Sequence, residues 1–145
     1  MEAVLFIGIQ GSGKTAFYAE RFLKTHLRIS LDLLKTGNKE WQFYRLCLET
    51  GQKLLIDNTN PTIVSRAAYI AAAKTKNFRI IGYYFNSTLT DAIERNKRRI
   101  GKELVKEVGI RATYKKFQMP ALAEGFDELY EVTISDNKFC ITELG

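Results

Sequence analysis

The sequence predicts one α/β domain over residues 1–145: a mostly parallel central sheet flanked by helices, a basic helical lid and a C-terminal β-hairpin. Three observations predict it. Short apolar runs alternate with helix-like stretches as far as Phe85, the pattern of parallel strands joined by crossover helices. The first run leads straight into Gly8-Ile9-Gln10-Gly11-Ser12-Gly13-Lys14-Thr15, which satisfies G-x-x-x-x-G-K-[ST]. The excess positive charge sits in one late segment rather than being spread along the chain.

The elements follow in order. Strand one covers about residues 3–8 and strand two Leu27–Leu31. Leu33–Thr50 reads as mostly helical, with Trp41, Tyr44 and Leu48 near helical spacing, and stops at Gly51. Strand three is Lys53–Asp57. Pro61 sits where the next helix would start, and Ala67–Ala73 continue it. Strand four is Arg79–Phe85. Thr88–Ile100 and Glu103–Phe117 read as two basic helices around Gly101. Tyr130–Ile134 and Lys138–Thr142 read as a hairpin turning at Ser135-Asp136-Asn137.

Between a strand and a helix, Gly8–Thr15 is a phosphate-binding loop, so the expected fold is that of P-loop NTPases; switches, motors and kinases share such a loop. Glycines let the backbone N–H groups approach a polyphosphate, and the helix that follows adds its positive N-terminal dipole. Gly8, Gln10, Gly11, Ser12, Gly13, Lys14 and Thr15 are therefore the expected ATP contacts. Lys14 would reach the β- and γ-phosphates, and the Thr15 hydroxyl would hold Mg²⁺.

Bulk properties narrow the class. With 46% hydrophobic and 26% charged residues in 145, the composition is that of a globular domain. No apolar stretch approaches a membrane span, and no signal segment is visible, so a cytoplasmic protein is expected. Cys47 and Cys140 read as small buried hydrophobes without a disulfide partner. His26 is the single histidine, which argues against a nucleophilic triad or a His-rich metal site.

The net charge is +6. Arg95, Lys97, Arg98, Arg99, Lys102, Lys106, Arg111, Lys115 and Lys116 face only Glu103 and Glu107, so this segment carries +7 and the remainder −1. Such a segment suits a polyanionic partner, a nucleic acid above all. A solvated helix face laced with ion pairs, or a triphosphate alone, would use part of the same charge.

In open parallel sheets, ligands bind beyond the C-terminal ends of the strands, so polar residues there are the candidates. Asp32 follows strand two and would face a γ-phosphate held by the loop. It is the expected general base for an acceptor hydroxyl, or else a helix N-cap. Asp57 ends strand three like a Walker-B acid and is the second expected Mg²⁺ residue with Thr15. Asn58, Thr59 and Asn60 extend the polar run and also suit a turn into Pro61. Arg95 and Arg99 lie four apart on one helix face, positioned to close over phosphates, with Gly101 as a hinge; the lid spans about 95–117.

Taken together these residues resemble the kinase domain of polynucleotide 5′-kinase/3′-phosphatases. The resemblance is carried by Gly8–Thr15, Asp32, Ile56-Asp57-Asn58-Thr59-Asn60-Pro61 with Ser65-Arg66, Tyr114-Lys115-Lys116-Phe117, and Pro120-Ala121-Leu122-Ala123-Glu124-Gly125-Phe126. It covers nearly the whole chain. It implies the kinase type of P-loop fold and an ATP- and Mg²⁺-dependent kinase of the 5′-hydroxyl end of DNA or RNA, with Lys14, Asp32 and Arg99 as the catalytic residues. The chain departs from the family in reading Ser30-Leu31-Asp32 where Asn-Arg-Asp is common. It also places Lys35 where the bacteriophage form has an arginine, and lysine lacks the bidentate grip of a guanidinium. No Asp-x-Asp-x-[Thr/Val] phosphatase motif is present. The alternatives are a P-loop kinase of a nucleoside or other small metabolite, and a non-catalytic ATP-binding switch.

Overall fold

The computed structural model describes residues 1–101 and 104–145. Its six strands are β1 (Glu2–Ile7), β2 (Leu27–Ile29), β3 (Leu54–Ile56), β4 (Arg79–Phe85), β5 (Glu128–Ser135) and β6 (Lys138–Glu143). They form one sheet in the order β2-β3-β1-β4-β5-β6. All neighbours are parallel except β5 and β6, which close the C-terminal edge as an antiparallel hairpin. That hairpin turns at Asp136 and Asn137, both with positive φ (51° and 60°), a conformation these two residue types tolerate.

β1 occupies the centre, and Ala3 to Ile7 are all buried, as a parallel strand covered on both faces requires. Ala3, Leu5 and Ile7 pack with Tyr44, Leu48 and Ile70 from helices α3 (Gly37–Thr50) and α4 (Ile63–Thr75). Val4 and Phe6 point the other way, onto Phe17 and Tyr18 of α1 (Lys14–Arg21). A third cluster of Ile9, Ala92, Ile93 and Ile110 joins the phosphate loop to α5 (Leu89–Lys97) and α6 (Glu107–Lys116). Helices α5 and α6, where the lid was expected, are thus packed onto the loop rather than projecting from it.

Several boundaries differ from the sequence reading. The single helix expected over Leu33–Thr50 is two. A short α2 (Leu31–Leu34) ends at Lys35, whose φ is +74°, and Thr36 then caps α3 by accepting from the Lys39 amide at 3.2 Å. α4 does not begin at Pro61. Thr62 and Ser65 form a reciprocal capping box, so the first helical residue is Ile63. The first lid helix stops at Lys97 and the second starts at Glu107, both shorter than expected. Lys102 and Glu103 lie outside the described residues. Cys47 is buried as anticipated, but Cys140 is exposed, because it lies on the outermost strand with one face in solvent. Among the described residues no helix is long and apolar enough to cross a membrane.

Candidate active site

The loop between β1 and α1 is shaped by what presses on it. A Cβ on Gly11 would sit 2.3 Å from the Ala92 carbonyl oxygen, so α5 approaches too closely for any side chain there. Gly13 has φ +97° and serves as the N-cap of α1 without using a side chain, leaving the first-turn amides of that helix open to a ligand. The loop is held from below by a bond from the Gly8 amide to the Thr59 carbonyl (2.9 Å) and by Ser12 Oγ, which donates to Ile9 O at 2.7 Å. It is held from the lid side as well. Arg95 Nη1 donates to Gly11 O (3.3 Å) and Ser87 Oγ (2.8 Å), and Gln10 Nε2 donates to Thr113 Oγ1 (3.1 Å). Gln10 and Arg95, expected as phosphate contacts, here use their side chains to brace the loop against α5 and α6.

Lys14 is buried, and among the described residues its ammonium donates to carbonyls of the loop itself, Gly8 O at 2.9 Å and Ile9 O at 2.8 Å. Burial lowers its pKa from near 10.5 to about 8. The carboxylates of Asp57 and Asp32 oppose that fall, and Arg99 adds to it. The Lys14 ammonium therefore lies within the field of all three residues singled out in the sequence. Arg99 is just beyond the end of α5, its amide continuing the turn onto Asn96 O at 3.0 Å.

Asp57 is 5% exposed and its Oδ2 accepts from two groups, Thr15 Oγ1 at 3.1 Å and Arg28 Nε at 2.8 Å. Asn58 does different work. Its Oδ1 accepts from the Leu31 amide at 3.0 Å, and its Nδ2 donates to Glu40 Oε2 at 2.7 Å. Glu40 is buried and also accepts from the Tyr69 hydroxyl. Asn58 thus ties α2 to α3 and α4, and Asp32 rides on that anchored turn as an exposed residue. Asp32 is not the N-cap. Ser30 is, its Oγ accepting from the Asp32 amide at 3.1 Å.

Asn60 closes the polar run in a left-handed conformation (φ 43°), with Nδ2 donating to Phe6 O at 2.7 Å. Asp57 through Asn60 is therefore one folded unit, with Asp57 facing Thr15 and the rest holding α2, the loop and β1 in register. Sequence reasoning missed Arg28, Glu40, Tyr69 and Thr113. Arg28 carried a faint signal as a charge inside an apolar strand; nothing in the local pattern marked the other three.

The residues present fit a nucleotide with Mg²⁺. A buried ammonium resting on loop carbonyls and an uncapped helix N-terminus suit phosphate oxygens, and Thr15 beside Asp57 suits the metal. Among the described residues no group of three or more His, Cys, Asp or Glu forms a cage. Mg²⁺ does not need one, since it is usually held by one or two protein groups together with waters and substrate phosphates.

The fold is that of the P-loop kinases: a gluconokinase from Sinorhizobium meliloti superposes with a TM-score of 0.64 at 13% identity, covering 93% of this chain and 83% of that one. Sequence relatives narrow the class. The chain is 30% identical over 135 residues to the bifunctional polynucleotide phosphatase/kinase of Schizosaccharomyces pombe, covering 90% of this chain and 33% of that protein. It is 29% identical over 144 residues to a putative bifunctional polynucleotide phosphatase/kinase of Acanthamoeba polyphaga mimivirus, covering 94% of this chain and 34% of that protein. The chain is thus similar to polynucleotide phosphatase/kinases and spans about a third of their length. No family model matches it.

Proposed function

We propose that this chain is the kinase unit of a polynucleotide kinase, transferring the γ-phosphoryl group of ATP to the 5′-hydroxyl end of a nucleic acid. The observation that carries the reading is the buried Lys14 ammonium held on the loop carbonyls next to Thr15, whose hydroxyl donates to Asp57 Oδ2 at 3.1 Å; the charges of Asp32 and Arg99 act on the same ammonium. The curated relatives, whose names state a polynucleotide kinase, and the +7 segment from Arg95 to Lys116 support a nucleic acid over a metabolite as acceptor. A slow switch needs no base for an alcohol, and an exposed carboxylate at Asp32, after β2, supports transfer to an acceptor instead.

In this reading the loop amides and Lys14 bind the β- and γ-phosphates. Thr15 and Asp57 hold Mg²⁺, which when bound neutralises phosphate charge. Asp32 accepts the proton of the 5′-hydroxyl as its oxygen attacks phosphorus and the bond to the β-phosphate oxygen breaks. Arg99 neutralises charge on the transferring group. Arg95 acts on the nucleotide indirectly, by holding Gly11. The segment 95–117 acts as the lid of a single domain, and the free thiols Cys47 and Cys140 suit the reducing cytoplasm.

The test supplies γ-labelled ATP, Mg²⁺ and a panel of 5′-hydroxyl DNA, 5′-hydroxyl RNA and nucleosides. Label is expected on an oligonucleotide 5′ end. Transfer to nucleosides alone would replace this reading with a metabolite kinase, and ATP binding without any transfer would leave the switch.

A further inference from the structure

Where β4 ends, a cleft of about 240 Å³ opens between the strand and α6, with Ile9 of the phosphate loop forming part of its wall. It is smaller than the roughly 300–1,000 Å³ pockets that enclose drug-sized ligands, so it suits one flat ring system. Its walls are unusually aromatic. Tyr84 and Phe117 stack on each other, with ring centroids 5.7 Å apart and planes 29° from parallel. Tyr114, 52% exposed, lines the same cleft. The Tyr84 hydroxyl is raised above its ordinary range by burial first, then by the Glu131 carboxylate and the Tyr114 phenol, so the two tyrosines are neighbours.

The walls are firmly set. Phe117 packs against the main core as well as against Tyr84. The next residue, Gln118, donates its amide to Pro61 O at 2.7 Å and accepts from the Ile63 amide at 2.8 Å. Asn86 supplies a polar edge: its Oδ1 accepts from the Tyr84 hydroxyl at 3.4 Å and its Nδ2 donates to Glu131 at 3.2 Å. Just outside, Arg111, Lys115 and Lys116 are exposed on the same helix as Tyr114.

We propose that this cleft is a nucleobase pocket in which Tyr114, backed by the Tyr84–Phe117 stack, holds the base of the nucleotide nearest the reacting end. This rests on the polynucleotide kinase reading and deepens it. Aromatic faces take any base, a basic rim tracks the backbone attached to it, and Ile9 places the cleft directly beside the phosphate loop. The same chemistry would accept the base of the donor nucleotide, and the two sources are separable.

The test uses 2-aminopurine, whose fluorescence falls on stacking, placed either at the 5′-terminal position of a 5′-hydroxyl oligonucleotide or as the base of a ribonucleoside triphosphate. Wild type, Tyr114→Ala and Tyr114→Phe are titrated into each. Because Tyr114 is half-exposed, truncation leaves the fold intact. Tyr114→Ala is expected to abolish oligonucleotide quenching and weaken its binding about tenfold or more, with Tyr114→Phe close to wild type. An oligonucleotide lacking its terminal base should bind equally to wild type and Tyr114→Ala. Loss confined to the triphosphate arm would assign the pocket to the donor base. Quenching and affinity unmoved by Tyr114→Ala in both arms would overturn the pocket. None of these readouts needs phosphoryl transfer, so Tyr114-dependent quenching without transfer would sink the kinase reading and leave the pocket standing.

Discussion

Arg66 and Glu124, 58 residues apart in sequence, form a bidentate ion pair beneath the site: Nε to Oε1 at 2.8 Å and Nη2 to Oε2 at 3.1 Å. The arginine side chain is wholly buried, and its remaining bonds reach Asn60 O at 2.9 Å and Gln118 O at 3.1 Å. One guanidinium thus pins the turn after β3, the segment after α6 and the 3-10 turn Leu122–Glu124 to each other.

Breaking this pair should be costly because it strands a buried charge. Arg66→Met or Glu124→Ala is expected to lower unfolding free energy by about 3–5 kcal/mol. Arg66→Lys should be nearly as damaging, since an ammonium cannot reproduce the fork that meets a carboxylate and two carbonyls at once. Urea midpoints at constant m-value measure it; Arg66→Lys at the wild-type midpoint would show that charge alone suffices.

Lys14 should make the protein more stable as the solution turns alkaline. Its folded pKa, about 8, lies below its ordinary value near 10.5, so the unfolded chain binds more protons between those limits. Stability therefore rises with pH from about 8 toward 10.5 and is flat in this contribution below 8. Phosphate oxygens restore the ammonium, so nucleotide binding above pH 8 is expected to take up a proton and weaken by up to about tenfold per pH unit. Calorimetry in two buffers of different ionisation heat counts that proton. Lys14→Met should abolish the uptake.

Asp32→Asn separates binding from chemistry. The residue is exposed on a turn held by Ser30 and Asn58, so the amide should leave the fold and the ATP affinity unchanged. Transfer to a 5′-hydroxyl end is expected to fall about 10²–10⁴-fold, the usual contribution of a general base. Wild-type turnover by Asp32→Asn would remove Asp32 from the mechanism.

Much of this was legible in the sequence, and the exceptions share a cause. The phosphate loop and β4 could be read because their signals are local: glycine spacing, and an apolar run between helices. Asp57 beside Thr15 followed from strand-end placement. The two unusual stretches Asp57–Pro61 and Leu122–Phe126 were recognisable as patterns, but their reason was not, because it is the Arg66–Glu124 pair, a contact across the fold. Likewise Glu40 carries no local mark of burial; only the meeting of Asn58 and Tyr69 on its carboxylate explains it. The helix break at Lys35 was missed because a left-handed lysine has no sequence signature, and the bracing bonds of Gln10 and Arg95 because they reach Thr113 and Gly11 from far along the chain.

Arg28 and Mg²⁺ should compete for Asp57. The guanidinium donates to Oδ2, the oxygen that also meets Thr15, from a side chain 19% exposed. Removing it frees a carboxylate for the metal. Arg28→Gln is expected to shift the Mg²⁺ dependence of transfer to lower concentration by several-fold, at a modest loss of stability. An unchanged or higher midpoint would mean that Arg28 holds Asp57 in place for the metal rather than against it.

The lid should reveal its partner through salt. Lys97 pairs with Glu94 at 3.3 Å and Arg111 with Glu107 at 3.1 Å, both exposed, so part of the basic charge is answered within its own helices. Lys115 and Lys116 are exposed beside Tyr114 at the end of α6, and Lys106 is exposed at its N-cap. Each phosphate neutralised by such a side chain releases counterions, and a single-stranded ligand loses about 0.7 in log–log slope per contact. Oligonucleotide affinity should therefore fall steeply between low and physiological salt. The double variant Lys115→Gln, Lys116→Gln should reduce that slope by about 1–1.5 without changing ATP affinity. A salt-independent affinity in the unmodified chain would return the segment to solvated surface and leave the acceptor to be sought among small molecules.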